Sequence, residues 1–208
     1  MLYRSFGKRF CDVTLALLLL APAIPLLALG MGVVAAGLGP PLLFRQERLG
    51  WQGRTIRLAK LRTMRPGLEP DSARTPASGR FLRRTKIDEL VQLVDVLAGR
   101  LSFVGPRPLP PGIMDPQSPL LPLRLSVRPG LTGWAQVCGG TRLSNTEKLA
   151  LDCFYARRVS AGFDGRILLR TLGVLLAGES RDEAAIRAAL ADARPAWTAR
   201  PPLAAMPG

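Results

Sequence analysis

Asp88 and Glu89 stand side by side in RRTKIDELVQLVDVL, Arg83 to Leu97. Cations crowd their approaches: Lys60 and Arg62 in KLR, Arg83 and Arg84 just upstream, and Arg107 between Pro106 and Pro108. Two carboxylates among basic residues suit an anionic substrate with a divalent cation. Mg²⁺ takes carboxylate oxygens together with substrate phosphates and keeps several waters. A helix N-terminus can hold a phosphate, and an aspartate can attack phosphorus covalently. None of this requires an imidazole. A plainer reading also fits the stretch. Acidic residues in a first turn favour the positive end of a helix, and Thr85 with Asp88 comes close to a capping box.

The rest of the composition narrows the chemistry. The 208 residues contain no histidine, which excludes His-based triads and His-metal sites. Cys11, Cys138 and Cys153 lie far apart, match no zinc spacing and read as reduced thiols. A formal charge of +14 beside 48% hydrophobic residues points to a membrane, nucleic acid or phosphorylated partner.

Val13 to Phe44 carries no charged residue, which is long enough for a transmembrane segment. Pro22 and Pro25 fall inside it and cannot donate to the carbonyls of Leu18 and Ala21. A bend is expected there, after a leg of roughly 14 Å. Arg4, Lys8 and Arg9 precede the segment, and Arg45, Arg48, Arg54 and Arg57 follow it. Positive charge on both flanks favours both ends on the cytoplasmic side. A kinked single span and a helix that enters, breaks and returns both remain open on these residues.

The elements that must position the pair follow from pattern. Leu42 to Phe44, a Gly50–Gly53 turn and Thr55 to Leu61 predict a β-hairpin. Arg65 to Arg80 reads as a loop. A helix is expected from about Lys86 to Leu97, with Ile87, Leu90, Val91, Val94 and Leu97 on its apolar face. Gly105 to Gly133 is proline-dense and should be mostly irregular. Helices are expected over Asn145 to about Arg158 and Asp164 to Leu176, the latter with Ile167, Leu168, Thr171, Leu172 and Leu175 on one face. ILLRTLGVLLAG reads as interfacial. A further helix should open on a Ser180/Glu183 capping box, and Pro195 to Gly208 reads as a disordered tail.

Several ordered motifs resemble one family, the bacterial sugar transferases, monotopic polyprenyl-phosphate phosphoglycosyl transferases. They are KRFCD, LFRQERLGWQG, KLRTM, GRFLRRTKIDELVQLVDVLAG, SFVGPRP, RPGLTGWAQV and KLALDCFYARR, spread from about Lys8 to Leu172. The resemblance implies transfer of a sugar 1-phosphate from a UDP-sugar to undecaprenyl phosphate, with release of UMP. This would be a first membrane step of exopolysaccharide or lipopolysaccharide assembly. Asp88 matches the covalent nucleophile, and Glu89 a partner that binds Mg²⁺ or manages a proton; both are implied metal ligands. Arg83, Arg107, Lys60 and Arg62 match substrate-phosphate contacts. Pro106 and Pro108 match an active-site loop, and Pro22 the break of a re-entrant membrane helix.

The implied fold is mainly α with a small β-hairpin. A re-entrant helix in 1–44 precedes a membrane-surface catalytic domain with amphipathic helices in 45–178, then a polar helix and tail in 179–208. Implied partners are the UDP-sugar, undecaprenyl phosphate and membrane lipid, with no nucleic acid; a homodimer is admitted. The implied location is the cytoplasmic face of the bacterial inner membrane. The chain departs from the family pattern at Ala21, Val91, Asp95, Arg100, Leu125, Cys138 and Gly140. The competing reading is a membrane-anchored basic module that binds anionic lipid or nucleic acid without catalysis. It would tolerate loss of Asp88 and Glu89.

Overall fold

The computed structural model describes residues 2–68 and 70–198, and these divide into two compact units. The chain is mainly helical with one small antiparallel hairpin.

The first unit contains described residues of 2–50, 54–103 and 108–110. A short π-helical turn, Tyr3–Gly7, leads into α1, Lys8–Leu38. This helix is long and apolar enough to cross a membrane. It runs on through Pro22 and Pro25, so the expected break at Pro22 is not seen. The physical reason is local. Each proline removes one N–H donor, whereas ending the helix would strip partners from a whole turn of backbone groups.

Lys8, Asp12, Ala16, Ala23, Gly30 and Val34 form the buried stripe of α1. Small residues on that stripe let the helix come close. A Cβ on Gly30 would sit 2.7 Å from Leu61 Cδ1 and 3.0 Å from Ile87 Cγ2. Near the start of α1, Asp12 Oδ1 accepts from Ser102 Oγ and Phe103 N, each at 2.9 Å. The Arg9 guanidinium donates to the carbonyls of Val96 and Leu97. At the far end, Arg62 donates to the carbonyls of Leu38 and Gly39. Both ends of α1 are therefore tied to the same unit. Its other face leaves Phe10, Leu17, Leu18, Ile24 and Leu29 exposed.

Strands β1 (Leu43–Leu49) and β2 (Thr55–Leu61) pair antiparallel from Leu43↔Leu61 to Leu49↔Thr55; the hairpin and β2 are as expected, while β1 runs on past Phe44 to the turn. Gly50 N donates to Arg54 O at 2.8 Å and closes the turn. Val34, Leu61 and Leu82 form a buried cluster, with Leu27, Leu43 and Ile87 packed against it.

Two helices replace the loop expected over Arg65 to Arg80: α2 (Asp71–Arg74) and α3 (Ala77–Thr85). Pro70 and Pro76 immediately precede them, where a proline's missing N–H costs nothing. Gly79 lets α3 seat on the backbone, since a Cβ there would lie 2.1 Å from Thr63 O.

The helix expected from Lys86 is also different. α3 ends at Thr85, Lys86 turns left-handed at φ 60°, and a 3-10 helix, Ile87–Gln92, leads into α4, Leu93–Leu97. Thr85 Oγ1 donates back to Phe81 O at 2.9 Å, so it does not cap the next helix. Three residues per turn shifts the expected stripe. Leu93 and Val96 are buried and Val94 is exposed. Strand β3, Ser102–Val104, ends in the second unit.

The second unit contains 51–53, 104–107 and described residues from 111 onward. Gly105 N donates to Thr132 O at 2.8 Å, and Gly130 N to Pro106 O at 3.0 Å, on strand β4, Gly130–Thr132. This approach excludes side chains: a Cβ on Gly105 would lie 2.2 Å from Arg128 O. The proline-dense stretch is otherwise irregular, apart from α5, Leu121–Leu125. α6 (Trp134–Val137) precedes α7 (Asn145–Arg157), which begins on a Ser144/Glu147 capping box. Trp134 packs edge-on against Phe163, with ring centroids 4.9 Å apart.

α8, Ala161–Ala177, buries Ile167 but leaves Leu169, Leu172, Leu175 and Leu176 exposed. α9 spans Glu183–Thr198. Its start is held by Asp182 Oδ1, which accepts from Ala185 N at 3.0 Å, and not by Ser180. Arg170 pairs with the other oxygen of Asp182 at 2.8 Å, which fixes that carboxylate at the cap. Residues 195–198 of the expected tail are helical, and 199–208 lie outside the described residues.

Candidate functional site

The two acidic residues lie in the 3-10 helix, in the first unit. Asp88 is only 3% exposed, and its Oδ1 is buried without a hydrogen-bond partner. Desolvation, and then the neighbouring Glu89 carboxylate, push the Asp88 acid up to about 6; Lys60, Lys86 and Arg83 oppose them. The converse holds for Lys60, whose ammonium is pulled below its usual range chiefly by burial, although Asp88 resists this. The site thus holds charges of both signs away from water.

Local structure explains how these groups meet. Lys60 lies on β2 opposite Phe44, and its Nζ is 5.7 Å from that ring's centroid. Arg83 is in the last turn of α3. Its Nε donates to Thr63 Oγ1 at 2.8 Å, and its Nη2 lies against Met64 Sδ. The left-handed Lys86 then ends α3 and starts the 3-10 helix that carries Asp88 and Glu89 beside those cations. A cavity of about 250 Å³ is lined by Phe44, Lys60, Arg62, Arg65, Arg74 and Arg83, among others. Arg62 has a second task there, since two of its hydrogen bonds go to the C-terminal carbonyls of α1.

The structure brings Lys60, Arg62, Arg83, Asp88 and Glu89 together in one unit. Pro22 is in the middle of α1. Pro108 belongs to the first unit, where its carbonyl accepts from Arg48 Nη1 at 3.3 Å. Pro106 and Arg107 belong to the second; the proline is buried and the arginine exposed. Sequence reading missed Thr63 and Met64 as supports of Arg83, and Lys86 as the turning residue. KLRTM named the first two as neighbours of Lys60, but nothing in a lone lysine signals a left-handed backbone.

Two departures from the family pattern explain each other: Arg100 Nε donates to Asp95 Oδ1 at 2.6 Å, an ion pair within the first unit. At Gly140, φ is +54°, and a Cβ would lie 2.4 Å from Glu179 Oε1. That carboxylate accepts from Thr141 N at 2.8 Å. Cys138 is buried, and burial pushes its thiol up to about 12. Nothing in the structure explains Ala21.

The donor set fits Mg²⁺. Asp88 and Glu89 offer adjacent carboxylates, one with an unpartnered buried oxygen. No cluster of three or more His, Cys, Asp or Glu exists among the described residues. An ion held here would therefore take much of its shell from substrate phosphates and water, as Mg²⁺ does.

Asp88 also carries a stability signature. Below about 4 the carboxyl is protonated in both folded and unfolded chains. Between about 4 and 6 the unfolded carboxyl ionises while the folded one stays protonated, so stability falls across that window and is level above it. Asp88→Asn should therefore be more stable than the parent at pH 7.5, by ~1–3 kcal/mol, and the two should converge near pH 4. Thermal melts in detergent at both pH values measure this. A residue that only capped a helix would give the opposite sign at pH 7.5.

Residues 3–178 match the family model described as bacterial sugar transferase. The chain is 39% identical over 185 residues to an uncharacterized sugar transferase, EpsL, of Bacillus subtilis, covering 83% of this chain and 88% of that protein. It is 40% identical over 185 residues to a UDP-glucose:undecaprenyl-phosphate glucose-1-phosphate transferase of Caulobacter vibrioides, covering 81% and 69%. It is 36% identical to the Escherichia coli protein of that same name, covering 79% of this chain but only 39% of that longer protein. With a match across most of its length and the acidic pair set among cations, the chain belongs to the bacterial sugar transferase family.

Proposed function

We propose that the protein transfers a sugar 1-phosphate from a UDP-sugar to undecaprenyl phosphate, with Asp88 as a covalent nucleophile. The observation that carries this reading is the desolvated Asp88 beside Glu89, with Lys60 and Arg83, which act on its charge, lining a basic cavity in the same unit. Relatives named for the same donor and acceptor classes support it.

An Asp88 carboxylate oxygen attacks the sugar-linked phosphorus. The phosphoanhydride bond to UMP breaks, and UMP carries away the bonding pair. The acyl phosphate on Asp88 is then attacked by an oxygen of undecaprenyl phosphate, which frees the carboxylate and yields the polyprenyl diphosphate sugar. Two steps let one small site handle a soluble and a lipid substrate in turn. Burial strips water from the nucleophile, and the neighbouring cations limit how far its acid strength falls. Lys60 and Arg83 hold phosphate oxygens, and Arg62 contributes beside them. Asp88 and Glu89 would hold Mg²⁺, which supplies charge neutralisation to the diphosphate. Glu89 also raises the Asp88 acid.

The membrane arrangement is monotopic, on the cytoplasmic face of the inner membrane. α1 is anchored at both ends to the first unit and turns an apolar face outward, which supports both flanks on one side. The exposed leucines of α8 give a second apolar surface for the bilayer interface.

Activity assays and a topology assay test this. Purified enzyme with a panel of UDP-sugars and no lipid should release at most about one equivalent of UMP, and multiple turnover should require undecaprenyl phosphate. Asp88→Asn should stay folded and lose transfer by a factor of roughly 10³ or more. EDTA should stop turnover and Mg²⁺ restore it. Near-normal transfer by folded Asp88→Asn sinks the mechanism. For topology, a Cys-depleted Arg4→Cys variant in intact cells should resist a membrane-impermeant maleimide. Labelling from the periplasm would contradict the monotopic arrangement.

A further inference from the structure

Arg65 and Phe44 line the basic cavity of the first unit but take little part in its frame. Arg65 is exposed, and among the described residues no hydrogen bond or ion pair occupies its guanidinium. Its backbone is fixed, since its N–H donates to Arg74 O at 2.9 Å. The other arginines are committed. Arg62 donates to the carbonyls of Leu38 and Gly39. Arg74 donates to Gly67 O at 2.9 Å and to Asp71 Oδ1 at 2.8 Å, and Arg83 to Thr63 Oγ1 at 2.8 Å. Phe44 is 44% exposed and lies outside the buried cluster of Val34, Leu61 and Leu82, with the Lys60 ammonium over its ring.

The lining selects its ligand. Its described residues include five cations and no carboxylate, which calls for an anion. Arginine and lysine donate hydrogen bonds and cannot accept them. The imide N–H of a uracil would meet only the Thr63 hydroxyl, which already accepts from Arg83, and the Met64 sulfur, which lies against the same arginine. A nucleobase therefore has no free partner to read it here. The volume, about 250 Å³, falls below the ~300–1,000 Å³ that encloses a whole small-molecule ligand, so the cavity fits a head group whose remainder lies outside. Phe44, Met64 and Pro66 place apolar surface next to the cations. Arg62 bonds this lining to the point where the apolar helix α1 ends. A phosphate at one end of a hydrocarbon chain matches each of these features.

We infer that this cavity is the acceptor subsite: Arg65, with Lys60 and Arg83, takes the phosphate monoester of an isoprenoid phosphate, and Phe44 packs on the first units of its chain. This rests on the reading that a polyprenyl phosphate is the second substrate. Lys60 and Arg83 also act on the Asp88 charge, so a phosphate held by them is drawn toward the group proposed to carry the sugar phosphate. Arg65 and Phe44 serve the lipid alone.

The test is native mass spectrometry of the full chain released from detergent micelles, titrated separately with farnesyl phosphate, farnesol and UDP. The parent should retain one farnesyl phosphate and no farnesol. Arg65→Ala should weaken farnesyl phosphate binding about tenfold, the worth of a charge-assisted contact. Phe44→Ser should weaken it about fivefold through lost apolar area. Neither should shift UDP affinity. Both side chains are exposed, so the fold should survive, and thermal melts check this. Four results overturn the inference: no farnesyl phosphate on the parent, equal retention of farnesol, normal farnesyl phosphate binding by either folded variant, or equal losses for farnesyl phosphate and UDP. Binding needs no turnover, so failure of the transfer reaction is a separate result. A parent that releases no UMP from any UDP-sugar loses the proposed chemistry, while the farnesyl phosphate titration still decides the subsite.

Discussion

Desolvation of one carboxylate is the constraint on which the site depends. Asp88 is buried beside a second carboxylate, and its acid is pushed up to about 6 because water is excluded and like charge is near. Folding tolerates this only because Lys60, Lys86 and Arg83 face the same group. Each cation is placed by a different element: a strand, a left-handed turn and the end of a helix. A nucleophile hydrated in the open would gain nothing from those neighbours, since exposed charges at such distances are screened. The arrangement costs stability at the group proposed to react, a compromise typical of functional sites.

The same unit binds the long apolar helix. A lone hydrophobic segment of this length invites a spanning assignment. Its small buried residues and the polar anchors at Asp12, Arg9 and Arg62 give it a second identity, as a packed element of the first unit. Arg62 links the two roles, because it lines the basic cavity and also satisfies the last carbonyls of α1. The proposed nucleophile and the long apolar helix thus share one framework, as the proposed reaction with a lipid phosphate requires.

Much of this was legible in the sequence, for physical reasons. The hairpin follows from alternation around a glycine turn, and α7 and α8 from helical spacing. The acidic pair among cations was visible because ordered motifs surround it. Other features had no local signal. Lys86 adopts a conformation usually left to glycine, so the stretch read as one continuous helix. Pro70 and Pro76 looked like breakers and prove to be helix starts. Pro22 looked like a break and sits inside a continuous helix. The pairing of Arg124 with Asp152 joins two helices far apart in the chain, which no periodicity can report. The burial of Asp88 is likewise a tertiary fact; in sequence it was indistinguishable from a helix cap.

The most direct measurement is rapid-quench peptide mass spectrometry of the enzyme mixed with a turnover-competent UDP-sugar in the absence of lipid. The account predicts a sugar-phosphate mass increment on the peptide containing Asp88, removed when undecaprenyl phosphate is added. An increment on a different residue would contradict it. So would enzyme that turns over with lipid yet never carries the adduct at any quench time.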